Sequence, residues 1–284
     1  MHRADTRRFL ALGLICASLA SLSLTSCSPD TSAPWLGYAE ADYIYVAAPS
    51  AGWITSLAVE RGATVAHGQT LFTLDADSQT ATRNEAAATI AQAEQQRKSA
   101  RASLELAEKQ LARQKALLAS GGTTKQAYDE ARQVRDSAAA ALQQYSAMAS
   151  QYRASLAGAS YQLSQRQISS RVAGRVEDIY FRPGEYTSAA APVIVVLPPD
   201  HVFVRFFVPE KQFAKLHQGQ KVAISCDGCG TAIATVTFVA SSYEYAPPVV
   251  FTVKSRDKLV YKAEARAPGG LKLHPGQPVD VHPL

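Results

Sequence analysis

The sequence contains 284 residues and carries a formal charge of +5 at neutral pH, a length that suits two or three small domains. Hydrophobic residues make up 47% of it and charged residues 19%, which excludes a disordered chain and a polytopic membrane protein. The basic surplus comes without a cluster of Lys and Arg interleaved with aromatic residues, so the composition does not indicate nucleic-acid binding.

The first 26 residues have the pattern of an export signal. Three arginines near the start precede an apolar run, Phe9–Leu24, which is too short to span a bilayer comfortably. The run leads through Leu-Thr-Ser to Cys27, and this tetrapeptide resembles the lipobox of bacterial lipoproteins. The resemblance implies cleavage before Cys27 and lipidation of its thiol; an ordinary secretory signal and an uncleaved anchor are the alternatives. Residues 27–42 are then predicted to be a lipid-anchored tether.

Two short β-rich segments, 43–75 and 168–197, repeat each other. At a constant offset of 122 residues, Gly62 aligns with Gly184 and Leu71 aligns with Val193. Each copy has about three strands separated by glycine-containing turns, and too little apolar surface to fold alone. We therefore expect the two copies to pack together as one small β domain.

The stretch 76–167 between the two copies is predicted to be a long helical hairpin. It holds no proline, and Ala, Glu, Gln, Arg and Lys fill most of it, all of which favour helices. Gly121-Gly122 lies near its middle and predicts the turn between two arms. Apolar or small residues then recur at alternating spacings of three and four, the pattern of a left-handed coiled coil. The predicted seam holds Ile90, Ala93, Arg97, Ala100, Leu104, Ala107 and Leu111 in the first arm, and Tyr128, Ala131, Arg135, Ala138, Leu142, Tyr145, Ala149, Tyr152, Leu156, Ala159 and Leu163 in the second.

Residues 198–284 are β-rich again and are predicted to form a small antiparallel barrel. A short helical turn is expected at Glu210–Leu216. The predicted strands are Val202–Val208, Lys221–Ser225, Thr231–Val239, Val249–Val253, Leu259–Ala265 and a last strand that ends near Val281.

Cys226 and Cys229 flank an Asp-Gly pair that favours a tight hairpin turn, which would place the two cysteines opposite each other. A disulfide is the first interpretation in an oxidising compartment. A reduced pair, or half of a zinc site with His217 or His274, is the alternative. No second CxxC motif is present and the histidines form no ligand cluster, so the sequence predicts no metal site and no cofactor.

The whole layout resembles the HlyD-type membrane fusion proteins, the periplasmic adaptors of efflux pumps and type I secretion systems. The resemblance rests on the lipoprotein signal, the split β repeat around a helical hairpin, and the barrel. Leu273–Val281 is similar to the family's closing L-x-P-G-x-x-V segment, and Gly219–Val222 is similar to its entry into a barrel strand. It implies an α+β fold: a coiled-coil hairpin inserted in a split lipoyl-like (biotinyl-like) domain, followed by a small antiparallel β-barrel.

The hairpin tip resembles that of TolC-dependent adaptors, which carry an Arg, a Leu four residues on and a Ser seven further. Arg113, Leu117 and Thr124 stand at these spacings, with Thr in place of Ser. The resemblance implies that these side chains contact an outer-membrane channel. From the residues alone, Arg113 fits a solvated helix charge and Thr124 fits the N-cap of the second helix.

The function implied is that of a non-enzymatic adaptor that is lipid-anchored in the periplasm at the inner membrane. The residues that would sort the lipoprotein between the two membranes do not exclude an anchor in the outer membrane. Implied partners are an inner-membrane transporter (ABC or proton-driven), a TolC-like channel and further copies of the chain, as a hexamer or trimer of dimers. A biotin or lipoyl carrier is disfavoured because Ser78 stands near where the modified lysine would be needed. A structural coiled-coil lipoprotein that tethers the envelope layers is the other alternative.

Overall fold

The computed structural model describes residues 34–245 and 259–284. The predicted signal, the lipidation at Cys27 and the strand Val249–Val253 lie outside the described residues. The strands before the hairpin are β1 (Trp35–Ala41), β2 (Ile44–Ala47), β3 (Gly52–Leu57), β4 (Thr64–Val65) and β5 (Thr70–Leu74). The helices are α1 (Asp77–Ala119) and α2 (Lys125–Ser164). The later strands are β6 (Gln167–Ser169), β7 (Gly174–Ile179), β8 (Tyr186–Thr187), β9 (Pro192–Leu197), β10 (Val202–Pro209), β11 (Lys221–Ser225), β12 (Ala232–Tyr245), β13 (Leu259–Arg266) and β14 (Pro278–Pro283).

The chain divides into two compact units, one with the barrel and one with the hairpin and its β sheets, Ala41–Val202 together with Gly269–Lys272. The mixed helix-and-sheet fold with a long helical hairpin is therefore confirmed. In the hairpin unit, two four-stranded sheets have the orders β2-β9-β7-β4 and β6-β5-β3-β8. Each sheet contains strands from before and after the hairpin. Their apolar faces share one core, which includes Ile54, Leu71, Phe72, Val176, Val193 and Ile194.

The 122-residue repeat is confirmed by equivalent hydrogen bonds in the two copies. The Gly62 N–H donates to the Val176 carbonyl at 2.8 Å, and the Gly184 N–H donates to the Ile54 carbonyl at 2.8 Å. Short strands are exchanged as well, because β4 of the first copy pairs with β7 and β8 of the second pairs with β3. Neither copy completes a sheet alone, as its small apolar surface predicts. The lipoyl-like identity of this β unit stays a prediction.

The hairpin arms pack along the predicted seam. All the predicted seam positions are buried or half-buried, and Ala93, Ala100, Ala107 and Ala149 are buried. A buried methyl group stabilises by only about 0.8 kcal/mol, so this alanine-rich seam allows close approach at modest stability. Across the seam, Arg153 forms an ion pair with Glu94, which also bonds Arg97 in its own helix.

Six strands close the barrel in the order β1-β10-β13-β12-β11-β14, as the prediction of a small barrel requires. One prediction was wrong: the tether was assigned to 27–42, but residues 35–41 form β1, which pairs with β14. The alternating side chains of β1 explain the difference, because Trp35 and Ala39 are buried in the barrel and the Trp35 ring stacks on Phe206 at 5.7 Å. β12 also runs further than predicted, to Tyr245, past two register shifts.

Candidate functional site at the hairpin tip

The first arm ends in a glycine cap. The Gly122 N–H donates to the Leu117 carbonyl at 2.8 Å, and the Gly121 N–H donates to the Leu118 carbonyl at 3.2 Å. This pair of bonds is a Schellman motif, which satisfies carbonyls that the end of a helix otherwise leaves free. Gly121 has φ +73°, a left-handed conformation that side chains with a Cβ resist. The tip geometry is therefore fixed by the glycine at 121.

Leu117 gives the tip an apolar surface. It lies at the position of the Schellman motif that usually makes a hydrophobic contact across the cap. Because residue 122 is glycine, the Leu117 side chain lies against it, and a Cβ added there would be 3.4 Å from Leu117 Cδ2. Leu117 is 39% exposed. The cap thus leaves a leucine at the end of the hairpin partly open to a partner.

Thr124 starts the second arm as its N-cap. Its Oγ1 accepts a hydrogen bond from the Ala127 N–H at 3.2 Å, the contact expected of a capping residue. The neighbouring Thr123 hydroxyl donates to Gln114 Oε1 at 2.8 Å and so ties α2 to α1. Thr124 therefore does cap α2. The capping contact uses its oxygen as an acceptor, so the hydroxyl hydrogen of Thr124 can donate to another group.

Arg113 is exposed on α1, one turn before Leu117 and therefore on the same face of the helix. Within residues 34–245 and 259–284, no carboxylate lies in ion-pair distance of its guanidinium. Two further cations, Lys115 and Lys125, are exposed nearby in the sequence. The structure therefore places Arg113, Leu117 and Thr124 at the last turns of α1 and the start of α2, around the cap. Sequence reasoning missed the Gln114–Thr123 link, for which no local pattern exists.

The cysteine pair lies in the other unit, in the turn between β11 and β12. The structure joins Cys226 and Cys229 as a disulfide with Cα atoms 5.4 Å apart. The Gln277 side-chain amide donates to the Cys226 sulfur at 3.1 Å. In the described part of the chain, no group of three or more His, Cys, Asp or Glu side chains could hold a metal ion.

On the surface of α1, one ion pair shifts the pKa of both of its members. A hydrogen bond from Lys109 lowers the pKa of Glu105, and the same contact raises the pKa of Lys109. Both groups are on the surface of α1, at 2.8 Å from each other.

In the described ranges, no helix is long and apolar enough to cross a membrane.

Comparisons with known proteins identify the fold. No protein-family model matches the sequence. A curated relative, the UPF0194 membrane protein of the asrC 5′ region in Acidithiobacillus ferridurans, is 33% identical over 112 residues, which are 38% of this chain and 33% of that protein. The match thus spans only one third of that relative's length.

Among solved structures, MacA from Actinobacillus actinomycetemcomitans aligns with a TM-score of 0.69 and 20% identity, over 88% of this chain and 77% of MacA. The membrane fusion protein Spr0693 from Streptococcus pneumoniae R6 aligns with a TM-score of 0.51 and 17% identity, over 87% and 99% of the two chains. The predicted resemblance is confirmed: this chain has the fold of the membrane fusion proteins.

Proposed function

We propose that this protein is a periplasmic adaptor, anchored to the inner membrane through a lipid on Cys27. It links an inner-membrane transporter to a TolC-like outer-membrane channel for efflux or secretion. The observation that carries the proposal is the hairpin, whose first arm has 43 residues and is therefore about 65 Å long at about 1.5 Å per residue. A hairpin of this length is not needed to build a compact catalytic domain. It is suited to reaching a distant partner with its capped tip.

The tip carries the contacts with the channel. Arg113 supplies a guanidinium without an intramolecular partner among the described residues, and it suits carbonyl or carboxylate acceptors. Leu117 supplies partly exposed apolar surface. Thr124 can donate its hydroxyl hydrogen, because its capping contact with the Ala127 N–H uses only the oxygen as an acceptor. Thr differs from the family's Ser at this position by one methyl group, and it keeps the hydroxyl donor.

Several copies act together in this proposal. The tip of one hairpin offers little contact area, whereas a stable protein–protein interface buries about 1,200–2,000 Å² in total. A hexamer or a trimer of dimers multiplies the tip contacts. The alanine-rich seam agrees with this arrangement, because it leaves the hairpin with modest stability of its own.

The protein has no catalytic part in this proposal. The two β segments, 43–75 and 168–197, form a lipoyl-like domain that serves as a structural base, and the barrel of β1 and β10–β14 contacts the transporter. The energy for export comes from the partner pump. A carrier role is disfavoured because no lysine follows β5 until Lys98, well inside α1.

Export by a strain that lacks the chromosomal gene tests the proposal. The gene is returned as wild type or as Arg113→Asp, and substrate resistance or secretion is measured. The charge reversal should abolish export with unchanged helical circular dichroism. Arg101→Asp, at another exposed arginine of α1, should export as wild type does.

Two results would contradict the proposal. Normal export by Arg113→Asp would show that export does not need the proposed contact between Arg113 and the channel. Normal export by the strain without the gene, together with a weakened envelope, would favour the tethering lipoprotein instead.

A further inference from the structure

A groove of about 800 Å³ lies on the outside of the barrel, in the unit that does not contain the hairpin. Its floor is the outer face of the β1–β14 pair, where Leu36 lies opposite Asp280 and Tyr38 lies opposite Pro278. Its wall is the turn after β11, which carries Asp227. The volume falls in the range of about 300–1,000 Å³ that is usual for small-molecule sites.

The wall of the groove is held in place by covalent and hydrogen bonds. The turn is closed by the Cys226–Cys229 disulfide. Gln277 fixes it to the floor: its Oε1 accepts from the His274 N–H at 3.1 Å, and its Nε2 donates to the Cys226 sulfur at 3.1 Å. A concave surface with such support is preformed, so a ligand has little ordering to impose.

The charge around the groove is negative. Asp227 and Asp280 line it, and among the described residues no Lys or Arg does. Arg205, on the neighbouring strand β10, interacts with Tyr38. Its charge is already matched, because its guanidinium lies 2.8 Å from Glu264 and 2.8 Å from Glu40. Arg205 is thus paired with Glu40 and Glu264, whereas Asp227 and Asp280 have no ion pair within the described residues.

We propose that this groove binds a hydrophobic organic cation of drug size. The apolar floor of Leu36, Tyr38 and Pro278 takes the hydrophobic body, and Asp227 and Asp280 take the positive charge. A bare metal ion does not fit, since the described residues supply no set of three ligating side chains here. An anion or an acidic peptide is repelled. The inference does not depend on the adaptor function, because it concerns binding to the isolated protein.

Tetraphenylphosphonium and tetraphenylborate test this inference, because the two ions share shape and hydrophobicity and differ in sign of charge. Binding to the purified full-length chain is measured by equilibrium dialysis at moderate salt. We expect saturable binding of the phosphonium ion, with the borate ion at least about tenfold weaker. Asp227→Asn with Asp280→Asn should weaken phosphonium binding by at least about tenfold, since a nearby charge in a partly shielded groove is worth at least that factor.

Three controls keep the test decisive. Leu36→Trp fills the floor and should abolish binding of both ions. Asp129→Asn removes an exposed carboxylate from the hairpin and should change nothing. Should the double variant fail to fold, Asp227→Asn alone, in an exposed turn, should still weaken phosphonium binding severalfold.

The inference is overturned by any of three outcomes: no saturable phosphonium binding, equal binding of the borate ion, or full binding by the folded aspartate variant. Equal binding of both ions would identify an apolar site without charge selection, such as one for an acyl chain.

Discussion

The same substitution, Gly→Ala, should act in opposite directions at two positions of the hairpin. Gly158 lies inside α2, and a Cβ added there has no heavy atom within 4 Å. Alanine should therefore stabilise the hairpin by about 0.8–1.0 kcal/mol, the difference in helix propensity. Gly121 also has open space around an added Cβ, but its φ is +73°. Alanine there carries a backbone penalty of about 1–2 kcal/mol.

The net effect at Gly121 is smaller than that penalty. Alanine also restricts the unfolded chain, which offsets about 0.4–1 kcal/mol of the penalty. The free energy of unfolding of the variant should therefore fall by about 1 kcal/mol. For a unit of this size, 1 kcal/mol shifts the melting temperature by about 2–4 °C. We expect a rise of this size for Gly158→Ala and a fall of this size for Gly121→Ala.

Thermal unfolding of the full chain, followed by circular dichroism at 222 nm, measures both shifts, because the two long helices dominate that signal. Gly121→Asn is the matched control. Asparagine tolerates the left-handed conformation better than alanine, so it should lose less. The reasoning fails if Gly121→Ala melts at or above the wild-type temperature, or if Gly158→Ala melts below it.

Three further predictions concern single contacts. A hydrogen bond from Arg61 lowers the pKa of Asp178, and a smaller effect in the same direction comes from the Ile179 N–H. The stability that this contact contributes is present above the ordinary Asp pKa and is lost as the pH falls through the lower pKa of the folded state. In Arg61→Gln, carboxyl NMR should show that pKa rising toward its ordinary value, and an unchanged titration would refute the contact. Thiol titration of unfolded, unreduced protein should find neither Cys226 nor Cys229 free; two free thiols there would exclude the disulfide. Cys27→Ser should yield a soluble or unprocessed product, whereas normal mass and membrane retention would argue against lipidation.

The hairpin was predictable because its determinants are local. Helix propensity and the spacing of three and four depend on residues within a few turns of one another, so the seam from Ile90 to Leu163 could be assigned position by position. The repeat was predictable for a different reason. Both copies need a glycine with positive φ at the same turn, and Gly62 and Gly184 have φ of 85° and 91°.

β1 and the exchanged strands were not predictable from local sequence. Trp35 pairs with Val281 in β14, a partner nearly the whole chain away, and nothing near Trp35 signals that pairing. The two-residue strands β4 and β8 exist only because each copy supplies an edge to the other. The acidic groove was missed for the same reason, since Asp227 and Asp280 line one groove only when β11 and β14 lie side by side.

The position of the tip is set by three successive constraints along the hairpin. At the base, β5 pairs with β6 through Thr73 and Gln167, so the two arms leave one sheet from neighbouring strands. The seam then holds the register of α1 against α2, and the Gln114–Thr123 bond closes it. An exposed side chain such as Arg113 contributes to none of these constraints. A loss of export on changing it, with helicity preserved, therefore reports a contact with a partner rather than a shift of the hairpin.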